Sequence, residues 1–158
     1  MFNLKLKYFT PQEFNRKGPT GDLINWFPRM SQELLIKLDL LRFNRGKPIH
    51  ISPHNGAIGR FGNGTSYHYW ETHGEVMAVD TMPEGIESYD DAMAFIKLAT
   101  KLGFTGLGFY PTWKPQCGFH LDVRPDRDYG NPAMWGAVND GQGQYTVTLT
   151  EAMNRLLV

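Results

Sequence analysis

Apolar residues along the chain recur with two periods, and each period predicts a kind of element. In SQELLIKLDLLRFNRG (31–46), Leu34, Leu35, Leu38 and Leu41 fall at helical spacing. Ser31 stands where a cap is needed, and Gly46 and Pro48 end the helix. SYDDAMAFIKLATKLG (88–103) predicts a second helix, with Ser88 as cap, Asp91 three residues on, and Ala92, Phe95, Ile96, Ala99 and Leu102 as the inward stripe. Near the start, TPQEF offers Thr10 as cap, Pro11 at the first helical position and Glu13 to close a capping box; Gly18-Pro19 keeps that helix short. Strand-like runs occur at PIHIS (48–52), EVMAVDTM (75–82), TGLGFY (105–110) and CGFHLDVR (117–124), the last two joined by PTWKPQ. The run at 75–82 is nearly all apolar and suits a central strand. Gln144–Thr148 reads as a weak strand, with a short helix after Thr150. From 53 to about 74 neither period holds, and a glycine-rich loop of this length in a compact domain is usually functional or disordered.

Few strands, two strong helices and short β–β connections predict an α+β domain: a small, mostly antiparallel sheet packed by helices on one face. The 158 residues suit a single domain, 1–158, with a core large enough to need no staples. Composition agrees, at 41% hydrophobic and 20% charged. The 16 basic and 16 acidic residues cancel, which argues against a nucleic-acid partner held by bulk charge. Cys117 is the only cysteine, so no internal disulfide can form, and it reads most simply as a buried free thiol. MFNLKLKYFTPQEF lacks the apolar core of a signal peptide and no run approaches membrane-spanning length, so synthesis in a cytoplasm and no membrane partner are expected. Seventeen glycines and 13% aromatic residues predict tight loops and a ring-lined surface or cleft.

Candidate chemistry collects in two stretches. GTSYHYWETHGEVMAVDTMPEG (64–85) holds His68, His73 and Asp80, and in GFHLDVR the strand alternation puts Phe119, Leu121 and Val123 on one face and His120, Asp122 and Arg124 on the other. Asp80 shares its face with Val76 and the small Ala78, which leaves room for a ligand. Catalytic zinc takes three His, Asp, Glu or Cys ligands and keeps a position for water. His120, Asp80 and one of His68 or His73 would make such a set. The water's proton needs a base, and Asp122 is the first candidate, Glu75 the second. By spacing alone these residues read more readily as ordinary loop and strand-end histidines and acids, and no HExxH occurs. His50 and His54 read as ordinary strand and strand-end residues, and Arg124 can pair with Asp122. Tyr67, Tyr69, Trp70, Tyr110 and Trp113 could equally rim a glycan or peptide site or fill the core. Trp135 is expected under the sheet edge, and RPDRD (124–128) as a solvated turn.

Taken together, YFTPQEF, SYH at 66–68, AVD at 78–80 and GFYPTWKPQCGFHLDVR resemble the zinc D-Ala-D-Ala carboxypeptidases and their phage and bacterial murein endopeptidase relatives, which share the hedgehog-type metallopeptidase fold. The likeness covers most of residues 7 to 135. The family pattern is Ser-x-His-x-x-Gly-x-Ala-x-Asp followed later by a strand with His-x-Asp. Ala78, Asp80 and His120 fall on it directly. Ser66-Tyr67-His68 matches its start but with Asp80 twelve residues on, which asks for a five-residue insertion; His73 has the seven-residue spacing but no serine, and Val76 replaces the glycine. The resemblance favours His68, with His73 as the alternative. It implies Zn2+ as cofactor, Arg60 as partner of the developing oxyanion, and hydrolysis of a peptide bond in peptidoglycan stem peptides. It further implies a bacteriophage or prophage enzyme, an endolysin or a virion component beside other virion proteins, that reaches the cell wall without its own signal peptide. One departure stands out: the family's catalytic acid lies three residues before the later histidine, where this chain has Cys117. That departure favours an alternative, a non-enzymatic phage tail module of the same fold. A cell-wall-binding module using the aromatic rim is a third reading.

Overall fold

The computed structural model describes residues 4–157. A two-stranded antiparallel ribbon, β1 (Asn15–Lys17) and β2 (Leu23–Asn25), precedes helix α1 (Gln32–Arg45) and strand β3 (Ile49–Ile51). A long loop follows, containing one helical turn, α2 (Trp70–His73), and leads into β4 (Ala78–Pro83). Helix α3 (Tyr89–Lys101), strands β5 (Gly106–Tyr110), β6 (Gly118–Asp122), β7 (Ala133–Asn139) and β8 (Gln144–Val147), and helix α4 (Leu149–Asn154) complete the chain. Strands β3 to β8 form one six-stranded sheet in the order β3-β4-β6-β5-β7-β8. Every pairing is antiparallel except β5 with β7. The architecture is α+β with a mostly antiparallel sheet.

The helices form where local signals and apolar stripes agree. Leu34, Leu35, Leu38 and Leu41 of α1 are fully buried, and the helix ends at Gly46, whose φ of 66° is left-handed. Ser88 caps α3 by accepting from the Asp91 N–H at 3.1 Å and donating its hydroxyl proton to the Asp91 carboxylate at 2.7 Å. Thr148 and Glu151 form the reciprocal box that starts α4. At TPQEF the Glu13 carboxylate does accept from the Thr10 N–H at 2.7 Å, but only a 3-10 turn (Pro11–Phe14) forms before the chain extends into β1. The segment before it is tied down by Asp39 of α1, which accepts from the N–H groups of Lys7, Tyr8 and Phe9.

Sheet register separates two faces. Val79, Leu107, Phe109, Phe119 and Leu121 point one way, into a single core with the stripes of α1 and α3 and with Ala152 and Met153 of α4. Phe95 of α3 sits on Phe119 with ring centroids 4.4 Å apart, and Phe119 on Phe109 at 4.7 Å. Ala78, Asp80, His120 and Asp122 point the other way. Two elements differ from the sequence expectation. The β1–β2 ribbon lies in a stretch too polar to show alternation. Strand β7 contains Trp135, which therefore stands inside the sheet between β5 and β8 instead of under its edge. AMWGAVN carries a mid-strand glycine after Pro132, and a parallel partner distant in sequence leaves no hairpin signal. Among the described residues no helix is long and apolar enough to cross a membrane.

Truncating the core should be costly and truncating the outer helix face should not. Leu38→Ala is expected to lower unfolding free energy by about 2–5 kcal/mol. Leu40→Ala, at a position 43% exposed, is expected to change it by only about 0.5 kcal/mol. Urea titration of both variants checks the assignment of the buried stripe.

Candidate metal centre

Register alone brings two of the three central side chains together. On β4 and β6, Asp80 lies directly opposite His120, and Ala78 opposite Asp122. On the far side of β6, Gly108 faces His120 and Gly106 faces Asp122. Both glycines are there for close approach. A Cβ at Gly106 would stand 2.2 Å from the Asp122 carboxylate, and one at Gly108 2.6 Å from the Trp135 ring. Trp135 can consequently lie across β5 beside His120, with ring centroids 5.1 Å apart.

The long loop delivers the third side chain. It is stitched to the sheet by the Asp80 N–H donating to Ala57 O at 2.7 Å and the Met77 N–H donating to Tyr67 O at 3.0 Å, and to itself by the Arg60 N–H donating to His68 O at 2.9 Å. These bonds bring residues 67 and 77 side by side, so the intervening chain folds outward as the turn of α2, closed by Gly74 at φ 80°. This extra turn is what separates His68 from Asp80 in sequence. His73 sits in that turn, its ring stacked on Tyr67 at 4.5 Å and its buried Nε2 without a hydrogen-bond partner. It does not join Asp80 and His120, so the alternative based on seven-residue spacing is not met.

His68, Asp80 and His120, all buried, offer three ligand atoms close enough together to hold a metal ion. His68 Nε2 and His120 Nδ1 are 3.1 Å apart, and Asp80 Oδ1 stands 3.1 Å from His120 Nδ1 and 3.4 Å from His68 Nε2. Nitrogen and oxygen donors about 2.0–2.1 Å from zinc at tetrahedral angles lie about 3.3 Å from one another. The outer ring nitrogens are already engaged. His68 Nδ1–H donates to Ile58 O at 2.5 Å, and His120 Nε2–H to Asp122 Oδ2 at 2.9 Å. Each ring thus turns its remaining lone pair inward, the arrangement that orients metal-bound histidines elsewhere. Two lone pairs and a carboxylate oxygen converging in a buried place repel unless positive charge lies among them. A proton on His120 can supply it, and a divalent cation satisfies all three donors.

The electrostatics follow from this crowding. Burial holds the His68 imidazole below its ordinary value, and so neutral. Burial would lower His120 as well, but its bonds to Asp122 and Asp80 prevail and push it up to about 9. Burial opposes ionisation of Asp80, yet the two imidazoles hold it well below the usual carboxylate range. Asp122 is likewise held low, against its burial, by Arg124 and His120.

The trio lies in a cleft of about 350 Å³ also lined by Arg60, Tyr67, Tyr110, Trp113 and Trp135. Arg60, expected there from sequence, anchors its Nε–H on Gly56 O at 3.0 Å. Of the expected aromatic rim, Tyr67, Tyr110 and Trp113 line the cleft, whereas Tyr69 and Trp70 do not. Trp135 is the ring that sequence reasoning missed; the Gly-x-Gly of β5, which strips one strand face bare, was the available signal. Asp122 needs correction as the proposed base. It is fully buried, gripped by the Arg124 guanidinium and bonded to the outer nitrogen of His120, so it orients a ligand and does not face the cleft. Glu75 lines clefts with Ser31 and Glu33 instead. Cys117 is a buried free thiol, pushed up to about 11 by burial, with its Sγ toward Ile86 O at 3.8 Å. His50 pairs with Glu84 at 2.6 Å on the surface.

Zinc must displace the proton that His120 carries below about pH 9. Affinity of the metal-free protein for zinc is therefore expected to rise about tenfold per pH unit from near neutrality and to level off above that value. The sign is opposite for the fold without metal. The raised folded pKa contributes stability that is complete below 6.5, the ordinary histidine value, and is lost as pH climbs through about 9. Competition with a chromogenic chelator across pH, with parallel melting curves, checks both. Asp122→Asn should weaken zinc binding about 10–100-fold.

No protein-family model, curated protein or solved structure matches the chain, and the case for a metal rests on the geometry of its own side chains.

Proposed function

We propose that the chain is a zinc peptidase of the D-Ala-D-Ala carboxypeptidase and murein endopeptidase kind, with the hedgehog-type fold, that hydrolyses a peptide bond in peptidoglycan stem peptides. The observation that carries this reading is the convergence of His68 Nε2, His120 Nδ1 and Asp80 Oδ1, at tetrahedral separations, in the wall of an aromatic-lined cleft. The sequence motifs that resemble the family fall on these same residues, which is the ground for naming the substrate. A phage or prophage setting, with action at the cell wall during lysis or from the virion, belongs to the same reading.

Bound at this trio, zinc would polarise a carbonyl and bring the pKa of a coordinated water to about 7. The chain's own residues do the remaining work. Asp122 keeps the His120 ring turned so that Nδ1 faces the cleft, and Arg124 holds Asp122. Ile58 O does the same for His68. Arg60 brings a guanidinium charge to the cleft, suited to an oxygen that becomes negative as water adds to the scissile carbonyl. With Asp122 turned away, Asp80 is the only carboxylate among the described residues that line the cleft. Its Oδ1 faces the imidazoles, 3.1 Å from His120 Nδ1 and 3.4 Å from His68 Nε2.

That shortage of carboxylates favours one rival, a non-enzymatic virion module in which the same trio holds a structural ion. The two separate cleanly. For the peptidase, zinc-loaded protein releases peptide fragments from purified peptidoglycan and clears outer-membrane-permeabilised cells. His120→Ala should fall to background, and Arg60→Ala should lose about 10²–10³-fold in turnover at unchanged zinc content. Stoichiometric zinc with no fragment release, and a melting temperature that falls on chelation, would establish the structural module instead.

A further inference from the structure

The described residues that line the cleft include one carboxylate, Asp80, and two arginines, of which Arg124 is paired with Asp122; of its two phenols Tyr67 gives its hydroxyl to Asp126, and Tyr110 is the other. It ends β5 and its ring stacks on Trp113 with centroids 4.2 Å apart and planes 16° from parallel. Trp113 is in turn fixed to the edge strand β8 by its Nε1–H, which donates to Gln144 Oε1 at 3.0 Å. The ring of Tyr110 is thus held in place from two elements. Its hydroxyl oxygen accepts from the Trp135 Nε1–H at 3.3 Å. An indole is a donor only, so this bond fixes the phenol's role. The oxygen is the acceptor toward Trp135, and its own proton is left without an acceptor among the described residues, in a group that lines the cleft beside Asp80 and His120.

We propose that the Tyr110 hydroxyl is an oxyanion donor, giving its hydrogen bond to the carbonyl oxygen of the substrate as that oxygen becomes negative. This rests on the peptidase reading given above and adds a catalytic residue to it. The step balances without proton transfer from tyrosine. Water oxygen bonds to the carbonyl carbon, the carbon–oxygen π pair moves onto oxygen, and the phenol O–H···O contact becomes charge-assisted and shorter. When the carbon–nitrogen bond breaks, the amine takes a proton derived from water and Tyr110 retains its own. Burial, reinforced by the negative charge of Asp80, pushes the phenol up to about 12, so it keeps its proton at working pH and is a poor base. Trp135 is a positioning residue, since it acts only through Tyr110. The arrangement also gives a reason for Gly108: without a bare strand there, the indole could not reach across β5 to the phenol.

The test compares zinc-loaded wild type with Tyr110→Phe and Trp135→Phe, using a stem-peptide substrate and a phosphinate isostere of an alanyl-alanine dipeptide. Tyr110→Phe keeps the ring and its stacking, so zinc content and melting temperature are expected to hold. Its kcat should fall about 10²–10³-fold with KM unchanged, and the phosphinate should bind more weakly by a similar factor. Trp135→Phe should show a smaller loss of the same kind, with KM again unchanged. Equal phosphinate affinity in wild type and Tyr110→Phe, or no phosphinate binding to wild type, would overturn the donor role. Weaker phosphinate binding in Tyr110→Phe together with a wild type that cleaves no stem peptide would uphold the donor and overturn the peptidase reading.

Discussion

Two imidazole nitrogens and a carboxylate oxygen cannot share a buried corner of a protein unless something positive lies among them. In this chain His68, His120 and Asp80 bring those atoms to within 3.4 Å of one another, and the surrounding structure is arranged to keep them there. The peptide carbonyl of Ile58 and the carboxylate of Asp122 take the outer ring protons, so neither imidazole can relax by turning its lone pair outward. Arg124 pairs with Asp122, so the carboxylate that orients the His120 ring is itself held ionised and in place. The crowding is a built demand for a cation, met by a proton when no metal is present.

The fold supplies this geometry in two unequal parts. The sheet fixes Asp80 and His120 through antiparallel register, where a one-residue slip would turn both side chains into the apolar core. The large rings and leucines under the opposite face make that slip expensive, so packing on one side of the sheet enforces chemistry on the other. His68 has no such guarantee. It depends on a loop whose ends are sewn to β4 through Ala57 and Tyr67 and whose excess length is folded away in α2. The centre is thus held by sheet register along one edge and by loop hydrogen bonds along another.

What could be read from the sequence tracks how local each signal is. The helices α1 and α3 were legible because cap, stripe and stop are adjacent in the chain, and β6 because alternation put His120 and Asp122 opposite Phe119 and Leu121. The metal trio was legible as a set of candidates. Its choice between His68 and His73 depended on whether residues 69 to 73 were insertion or spacer, a question of three-dimensional path that spacing does not answer. The role of Asp122 was misjudged for a related reason. Alternation correctly put it on the ligand's face, but residues two apart on one strand stand side by side, and only the rotamer of His120 decides which nitrogen the carboxylate meets. Trp135 was missed because its partner strand, β5, lies parallel and far away in sequence. Parallel pairing leaves no turn signal between the strands, and the Gly-x-Gly at 106–108 that makes room for the indole reads in sequence only as part of the strand-like run TGLGFY.

The central claim is that one cation is held by three named atoms. Diffraction from zinc-soaked crystals at the zinc absorption edge tests it without reference to any activity. The account predicts a single strong anomalous peak about 2.0–2.1 Å from each of His68 Nε2, His120 Nδ1 and Asp80 Oδ1, with the bond from His120 Nε2 to Asp122 intact. A peak at His73 or at the surface pair His50 and Glu84, with nothing between His68 and His120, would contradict it.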